Sequence, residues 1–445
     1  MLQSYSSRVS PPRRWRATAA AVSALALLLT GCGSGSSDDG PVQITFWDNN
    51  AGPDRTPLWE HIIAEFEKEH PDITVDYTGI PIAQVQQKYD TAIAGDALPD
   101  VGGVLTAYLA NLAGRDVLEP LDERLSGSSL DGSINRGFLE NMRASASDGK
   151  LYSMPTSGNM AILWYRKDWF AEAEIAEPET WGDFYTAAEK LTDPERNRYG
   201  FTIRGGPGAI PQVFDEIYAQ SGIETFFDDS GKTTLNAPKN VEALERIVAL
   251  YDEQTPTADV NNDFPKMVAQ FTGGDVAMLH HNLGSYTNHV EALGEDNLVG
   301  IPLFPSPETG KHTIASHPTD GIAIFNSSEH KDAAWQFVEF AASAQMNSYW
   351  NERVGQIPAN NEVQNEQWVR DNQALAAASA AMDDENSVIV QLPYYLPQFN
   401  PITKTDMEPL YQQVLLGEMT AQEFLDQSAT MFNEAEAEYR ERHGS

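Results

Sequence analysis

The chain has 445 residues and a formal net charge of −36, because 65 aspartates and glutamates outnumber 29 lysines and arginines. A surface with this excess of negative charge repels phosphate backbones and anionic lipid headgroups, which argues against nucleic-acid binding. The single cysteine excludes an internal disulfide, so the stability of the fold has to come from packing. The length suffices for about two or three domains with cores of their own.

The first 42 residues have the composition of an export signal followed by a tether. Four arginines lie among residues 8–16, and an apolar run follows over residues 19–29. This run suits the core of a signal peptide and is too short to span a bilayer. The sole cysteine, Cys32, comes directly afterwards, and residues 33–40 contain only glycine, serine and aspartate, as in a flexible linker. An ordinary signal peptide with a chance cysteine is the alternative, and Arg13-Arg14 weakly suggests a twin-arginine signal.

From residue 43 onward, strand and helix patterns alternate. Strands are predicted over residues 43–47 and 73–77 and from residue 99, with helices from Thr56 to Pro71 and over residues 82–95 between them. This order predicts an α/β sheet with parallel strands, whose ligands bind beyond the carboxyl ends of the strands. The polar loops at residues 48–50 and 105–108 follow two such ends.

Later segments continue the alternation. Strands are predicted over residues 161–165, 275–279, 298–303 and 321–325, and a helix should begin at Thr180, with Asp183 returning the capping contact. From Asn361 the chain reads as mainly helical, apart from an aromatic and proline-rich stretch at residues 392–401. Every segment after Leu29 is broken by polar residues before the roughly 20 apolar positions that a spanning helix needs.

Many short motifs occur in one order along the chain. They are Phe46-Trp47, Pro99-Asp100-Val101, Lys150-Leu151-Tyr152, Pro178-Glu179-Thr180-Trp181, Gly274-Asp275-Val276, Asp320-Gly321-Ile322, Gly355-Gln356-Ile357-Pro358 and Leu416-Gly417-Glu418. In this order the chain resembles the extracellular solute-binding proteins of ABC importers, in the sugar-binding branch related to maltose-binding protein. The likeness covers residues 43 to about 435. Leu29-Thr30-Gly31-Cys32 likewise resembles the lipobox of bacterial lipoproteins, in which the cysteine carries the lipid.

The resemblance implies an α/β, two-lobed periplasmic-binding-protein fold, in which each lobe is a mixed, mostly parallel sheet flanked by helices. Hinge crossings join the lobes, which close on a sugar. The expected divisions are a signal peptide (1–31), a lipidated Cys32 with its tether (32–42), an N-terminal lobe (43–155 plus 314–355) and a C-terminal lobe (156–313 plus 356–445). We expect a monomer that is lipid-anchored outside the cytoplasm, uses no cofactor or metal, and hands a carbohydrate to permease subunits in the membrane.

A sugar needs polar partners for its hydroxyls and flat apolar surfaces for its ring faces, and loops beside strand ends supply both. Matched motif by motif to the family, the expected ligand contacts are Asp48, Asn49, Asn50, Thr106, Tyr108, Asn159, Arg204, His281, Asn282, Tyr286, His317, Asp320, Tyr394, Tyr395 and Phe399. Two departures stand out. Relatives often carry a carboxylate at the position of Asn159, and a glycine with tryptophan where residues 281–286 lie.

Other functions fit the residues less well. The histidines at 280, 281, 312 and 317 lack a metal-ligand spacing, and adjacent strand residues point to opposite faces. Gly231-Lys232-Thr233 is not a phosphate loop, because Phe226 stands where its first glycine must be. A secreted glycoside hydrolase, with two carboxylates a few ångströms apart, is the enzymatic alternative, although the resemblance favours binding without turnover. Polyamines, peptides and phosphodiesters are the alternative ligands.

Overall fold

The computed structural model describes residues 40–443, so the predicted signal peptide, Cys32 and most of the tether lie outside the described residues. Within the described range, no helix combines the length and apolarity that a membrane crossing needs. The two-lobed α/β architecture expected from the sequence is confirmed.

The N-terminal lobe is built on a six-stranded sheet with the strand order β10-β4-β9-β3-β1-β2. Its elements, in chain order, are β1 (Val42–Asp48), α1 (Thr56–Glu69), β2 (Ile73–Gly79), α2 (Val85–Ala94), β3 (Val101–Gly103), α3 (Thr106–Ala113), α4 (Asp122–Leu125), α5 (Arg136–Ala144) and β4 (Met154–Gly158). The late elements β9 (Asp320–Ile324), α12 (Lys331–Ala342), α13 (Ala344–Val354) and β10 (Ile357–Pro358) complete this lobe.

The aromatic core of this lobe follows from simple periodicity. Every second residue of β1 is buried, including Ile44 and Phe46, and α1 turns Trp59, Ile62 and Phe66 toward them. The ring of Phe46 meets Trp59 edge-on at 4.7 Å between centroids, and meets Phe337 of α12 at 5.2 Å. This packing fixes where β1 ends, and therefore where the loop at residues 48–50 lies.

The C-terminal lobe holds a three-stranded sheet of order β6-β5-β7 and a separate pair, β8 with β11. Its strands are β5 (Ala161–Arg166), β6 (Met278–Asn282), β7 (Leu298–Pro302), β8 (Thr313–Ala315) and β11 (Val388–Val390). Its helices are α6 (Lys167–Glu172), α7 (Trp181–Lys190), α8 (Ala209–Ser221), α9 (Pro238–Val248), α10 (Phe264–Gly273), α11 (Tyr286–Leu293), α14 (Gln367–Asp371), α15 (Gln373–Asp383), α16 (Glu408–Leu415) and α17 (Ala421–His443). The predicted residue bounds of the two lobes stay a prediction.

Strand direction corrects one part of the expected fold. β1 pairs in parallel with β2 and β3, as predicted, but β9 pairs antiparallel with β3 and β4, and β10 with β4. The three-stranded sheet is antiparallel throughout, so "mostly parallel" is wrong for it. Alternation of apolar residues is the same for both directions, which is why the pattern alone could not distinguish them.

One buried residue of the C-terminal lobe conflicts with its apolar surroundings. His289 of α11 is fully buried, and its ring meets Phe271 at 4.9 Å and Trp164 at 5.3 Å between centroids. Neither ring nitrogen has a hydrogen-bond partner among the described residues. Burial lowers the pKa of His289 to about 3, because a charged imidazole there would lose its hydration without compensation.

We expect His289→Leu to raise the free energy of unfolding at pH 7 by about 1–3 kcal/mol, because it removes an unsatisfied buried polar group. The unfolded chain binds this proton near pH 6.5 and the folded chain only near pH 3. Wild-type stability should therefore decline more steeply than that of the variant as the pH falls through this window. Urea unfolding between pH 4 and 7.5 measures both effects. His330→Leu, at an exposed site, is the control, and a destabilised His289→Leu would contradict the prediction.

Candidate functional site

A cavity of about 790 Å³ opens between the two lobes. The loop after β1 and the end of α13 form its N-terminal side, and β6, α11 and the start of α10 form its C-terminal side. The crossing at residues 317–320 lies at its base. The site therefore sits beyond the carboxyl end of β1, as expected for an α/β sheet.

Eight of the fifteen predicted contacts line this cavity: Asn50, Asn159, Arg204, His281, Asn282, Tyr286, His317 and Asp320. Sequence reasoning missed three further side chains that line the cavity, namely Arg55, Phe264 and Gln356. Arg55 directly precedes α1. Its signal was an arginine close to a polar strand-end loop in a chain where acids dominate.

His281 and Asn282 lie on a strand and not in the predicted loop, because β6 runs over Met278–Asn282 where the sequence predicted a strand ending at residue 279. In β6 the side chains alternate. His280 therefore points into the C-terminal lobe and His281 toward the cavity.

Four predicted contacts support the cavity wall from behind and do not line it. Asp48 is buried and accepts hydrogen bonds from the Asn50 backbone N–H and the Tyr77 hydroxyl, both at 2.9 Å. The hydroxyl oxygen of buried Thr106 accepts from the Thr319 N–H at 3.1 Å. Tyr108 is also buried, with the Lys404 ammonium 5.2 Å from its ring centroid, and Asn49 packs against Gly103.

The three C-terminal aromatics are placed differently from the prediction. Tyr394 and Phe399 are buried in the C-terminal core, 4.8 Å apart between ring centroids, and Tyr395 donates a hydrogen bond to Glu436 at 2.6 Å. None of them lines the cavity in the part of the chain that the structure describes. Their apolar surfaces pack against other residues of the C-terminal lobe. Tyr394 still supports the site indirectly, since its hydroxyl donates to the Ser316 carbonyl, next to His317, at 2.7 Å.

The polar centre of the cavity pairs one carboxylate with donors. Gln356 Nε2 donates to Asp320 Oδ2 at 2.8 Å. Burial raises the pKa of Asp320, and the positive charge of Arg55 partly opposes this shift. Burial in turn lowers the pKa of Arg55, against the attraction of Asp320 and Asp48. The cluster thus presents carboxylate oxygens that accept hydrogen bonds beside guanidinium N–H groups that donate them. A ligand hydroxyl group can both donate and accept, so it suits such a cluster.

The opposite wall offers a flat surface. The ring of Phe264 stacks on His281, with centroids 4.6 Å apart and planes 23° apart. Burial, together with the nearby Arg204 charge, lowers the pKa of His281 well below its usual value, so this imidazole is neutral. A neutral imidazole against phenylalanine forms an aromatic platform of the kind that the missing tryptophan would have supplied.

A buried charged cluster stands behind the cavity. His317 Nε2 contacts Asp215 Oδ1 of α8 at 3.0 Å, and His280 Nδ1 contacts Glu216 Oε1 at 2.8 Å. His280 Nε2 lies 3.6 Å from Asp215, a charge contact longer than a hydrogen bond. Burial alone would lower the pKa of His280, but the two carboxylates outweigh it and raise the pKa to about 9. The cluster thereby holds His317 at the cavity.

Because the folded-state pKa of His280 lies above its unfolded value, its contribution to stability is complete below about pH 6.5 and is lost as the pH rises through about 9. We expect His280→Gln to lower the free energy of unfolding near pH 6.5 by on the order of 2 kcal/mol, and this deficit should shrink toward pH 9.5. Urea unfolding across this range measures the deficit, with exposed His330→Gln as the control. An NMR titration of the wild-type imidazole near pH 6.5 would contradict the assignment.

Comparison with known proteins agrees with this architecture. The profile of the bacterial extracellular solute-binding protein family matches residues 52–348. An uncharacterized lipoprotein of Streptomyces antibioticus is 30% identical over 331 residues, which cover 72% of this chain and 71% of that protein.

Solved structures share the fold. The ABC substrate-binding protein Lmo0181 from Listeria monocytogenes, in complex with cycloalternan, aligns with a TM-score of 0.76 at 23% identity over 88% of this chain and 98% of that chain. The GacH receptor of Streptomyces glaucescens, solved unliganded and with acarbose, gives 0.77 at 22% identity over 90% and 99%. With the family profile matching well over half of its length, this chain belongs to the bacterial extracellular solute-binding proteins.

Proposed function

We propose that the protein captures a carbohydrate in the cavity between its lobes and delivers it to the membrane permease of an ABC importer. The observation that carries this proposal is the juxtaposition of the Phe264–His281 platform with the Asp320, Gln356 and Arg55 cluster. A platform and a polar cluster match the apolar ring faces and the hydroxyls of a sugar. That Lmo0181 was solved with cycloalternan and GacH with acarbose supports the same ligand class.

The cavity is suited to binding without turnover. A glycosidase needs two carboxyl groups about 5–10 Å apart across the scissile bond. Here Asp320, within the wall, is engaged by Gln356, whereas the other lining acids, Asp54, Glu291 and Glu352, are exposed at the rim. This distribution supports a binding protein over the hydrolase.

Delivery requires release, and the fold offers a hinge for it. The two walls of the cavity come from different lobes, and the chain crosses between them near residues 156–160, 316–320 and 355–359. Rotation about such short crossings opens and closes a cleft while each lobe keeps its own core. The lobes proposed to move are those bounded at residues 155, 314 and 355, in a monomeric protein.

Calorimetric titration of the purified protein against neutral and acidic mono- and oligosaccharides tests the function, with hydrolysis followed in the same samples. We expect saturable one-to-one binding of a saccharide without cleavage. Cleavage would replace the proposal with the hydrolase. Binding of only a polyamine, peptide or phosphodiester, included as further probes, would refute the carbohydrate assignment and keep the fold.

The anchoring of the protein is a second part of the proposal. Cys32 follows a run typical of a lipoprotein signal, and the Streptomyces antibioticus relative is itself described as a lipoprotein. Two or three acyl chains on one cysteine hold a protein durably at a membrane, because each buried methylene contributes about 0.8 kcal/mol. Residues 33–40, which are only glycine, serine and aspartate, would then link the lipidated cysteine to the rest of the chain.

We expect Cys32→Ala to abolish incorporation of labelled palmitate and to move the protein from the membrane fraction to the soluble extracytoplasmic fraction. Ser34→Ala, two residues away, should change neither. If Cys32→Ala stayed with the membrane to the same extent as wild type, the lipid anchor would be excluded.

A further inference from the structure

The arginines of this protein divide into two groups. Among residues 40–443, every arginine forms an ion pair with a carboxylate oxygen within 4.0 Å, with the exceptions of Arg55, Arg204 and Arg370. Two of these three, Arg55 and Arg204, line the cavity between the lobes. Acidic residues outnumber basic residues more than twofold in this chain, so it is unusual that neither of these two arginines has an ion-pair partner.

The guanidinium of Arg55 is aimed at the cavity without being satisfied there. No side-chain hydrogen bond of Arg55 occurs within residues 40–443, and its nearest aromatic contact is Trp350, at 5.8 Å to the ring centroid. Its Nη2 and the Nδ2 of Asn159 each lie 3.6 Å from the position that a Cβ on Gly284 would take. A donor from the N-terminal lobe and a donor from the crossing at residues 156–160 therefore lie equally close to one point of the wall.

Arg204 adds the second positive charge. Its Nε donates to the Pro207 carbonyl at 2.7 Å, which orients the guanidinium and leaves its terminal nitrogens free of any carboxylate within ion-pair distance in the described chain. Burial lowers the pKa of Arg204 to about 10, although Glu408 and Asp263 oppose the shift. Even so, the group is positive at neutral pH, and the water that would stabilise its charge is partly excluded.

The charges of the inner wall do not balance. Among the side chains that line the interior of the cavity, Arg55 and Arg204 are accompanied by one carboxylate, Asp320. Asp48 lies behind the wall in hydrogen bonds with Asn50 and Tyr77, and the charged groups that interact electrostatically with Arg204, namely Glu408, Asp263 and Lys404, do not line the cavity. The exposed acids of the rim are screened by solvent, since the Debye length is about 8 Å at physiological ionic strength. The protein as a whole is strongly acidic, but the side chains that line the interior of the cavity include one more guanidinium group than carboxylate groups.

We propose that the ligand is an acidic saccharide, a mono- or oligosaccharide containing a hexuronate whose carboxylate lies against Arg55 or Arg204. This inference rests on the proposed carbohydrate function and names its substrate class. Guanidinium groups match carboxylates in shape and donate charge-assisted hydrogen bonds, about twice as strong as neutral ones. A carboxylate carries one negative charge, which offsets the excess in the wall, whereas a sugar phosphate carries nearly two.

The test compares acids with matched neutral compounds. A panel of galacturonate, glucuronate and mannuronate monomers and short oligomers is titrated beside the methyl esters of the same compounds, which keep the shape and remove the charge. We expect at least one acid to bind about 10-fold or more tighter than its ester, with the preference weakening at high salt. Arg55→Gln or Arg204→Gln should weaken binding of that acid by about 10- to 100-fold and binding of the ester by less than about threefold.

Arg370→Gln is the matched control. Arg370 also lacks an ion pair, but it is exposed, does not line the proposed binding cavity and donates hydrogen bonds to Asn365 and Gln367, so its variant should bind like wild type.

The possible outcomes separate the two proposals. An ester or a neutral oligosaccharide that binds as tightly as every acid would overturn the acidic-ligand inference and leave the carbohydrate function standing. A sugar phosphate that binds tighter than all the uronates would also overturn it. If no saccharide binds, both fail. Circular dichroism and melting temperatures confirm that the glutamine variants are folded, and if both variants are misfolded, the ester comparison and the salt dependence on wild type decide alone.

Discussion

The insertion of β9 between β3 and β4 is the constraint on which the site depends. The chain leaves the N-terminal lobe after β4, builds most of the C-terminal lobe, and returns to place Asp320 opposite Ser157 and Ile322 opposite Gly103. Gly321 makes this insertion possible. A Cβ there would lie 2.4 Å from Ser153 Oγ and 2.8 Å from the Met154 carbonyl oxygen, so no side chain fits. Because β9 enters beside β4, the two crossings run side by side, and Asn159 and Asp320 reach the same cavity.

The charged cluster behind His317 costs stability in a way that apolar packing would not. Asp215, Glu216 and His280 are each at most 6% exposed, and taking such groups out of water costs several kcal/mol per ion. The contact between His280 and Glu216 at 2.8 Å and the hydrogen bond between His317 and Asp215 at 3.0 Å recover much of that cost, but an apolar core of similar volume would be at least as stable. What the cluster adds is orientation. Asp215 accepts from His317 Nε2 and thereby fixes how this ring faces the cavity.

Sequence patterns predicted those features that depend on residues close together in the chain. The capping of α7 is an example. Thr180 Oγ1 accepts from the Asp183 N–H at 3.1 Å, and the Asp183 carboxylate accepts in return from the Thr180 hydroxyl at 2.7 Å, as proposed from four residues of sequence. The loop at Asn50 was predicted because polar residues directly follow a strand end, whereas His317 and Asp320 were expected from the family resemblance; all three line the cavity.

What the patterns could not reveal depends on contacts distant in sequence. Tyr394 and Phe399 have the composition of a sugar platform, but α8 and α17 use their surfaces in the core. Phe264 begins a helix like any core aromatic, and its role becomes visible only when β6 brings His281 to 4.6 Å. The bounds of β6 lie three residues later than predicted, although His281, the histidine of the adjacent pair that reaches the cavity, was also the one expected at the site.

The crossing at residues 316–320 is attached to both lobes, and this links ligand contacts to lobe movement. His317 is hydrogen-bonded to Asp215 in the C-terminal lobe. Thr319 is hydrogen-bonded twice to Thr106 in the N-terminal lobe. Its N–H donates to the Thr106 hydroxyl oxygen and its carbonyl accepts from the Thr106 N–H, both at 3.1 Å. Only Pro318 lies between these attachments, and its ring fixes φ near −65°. When the lobes rotate, only a few backbone torsions of this segment can change, and they lie next to the cavity-lining side chains of His317 and Asp320. A ligand that holds His317 and Asp320 together therefore acts directly on the segment that has to change when the cleft opens.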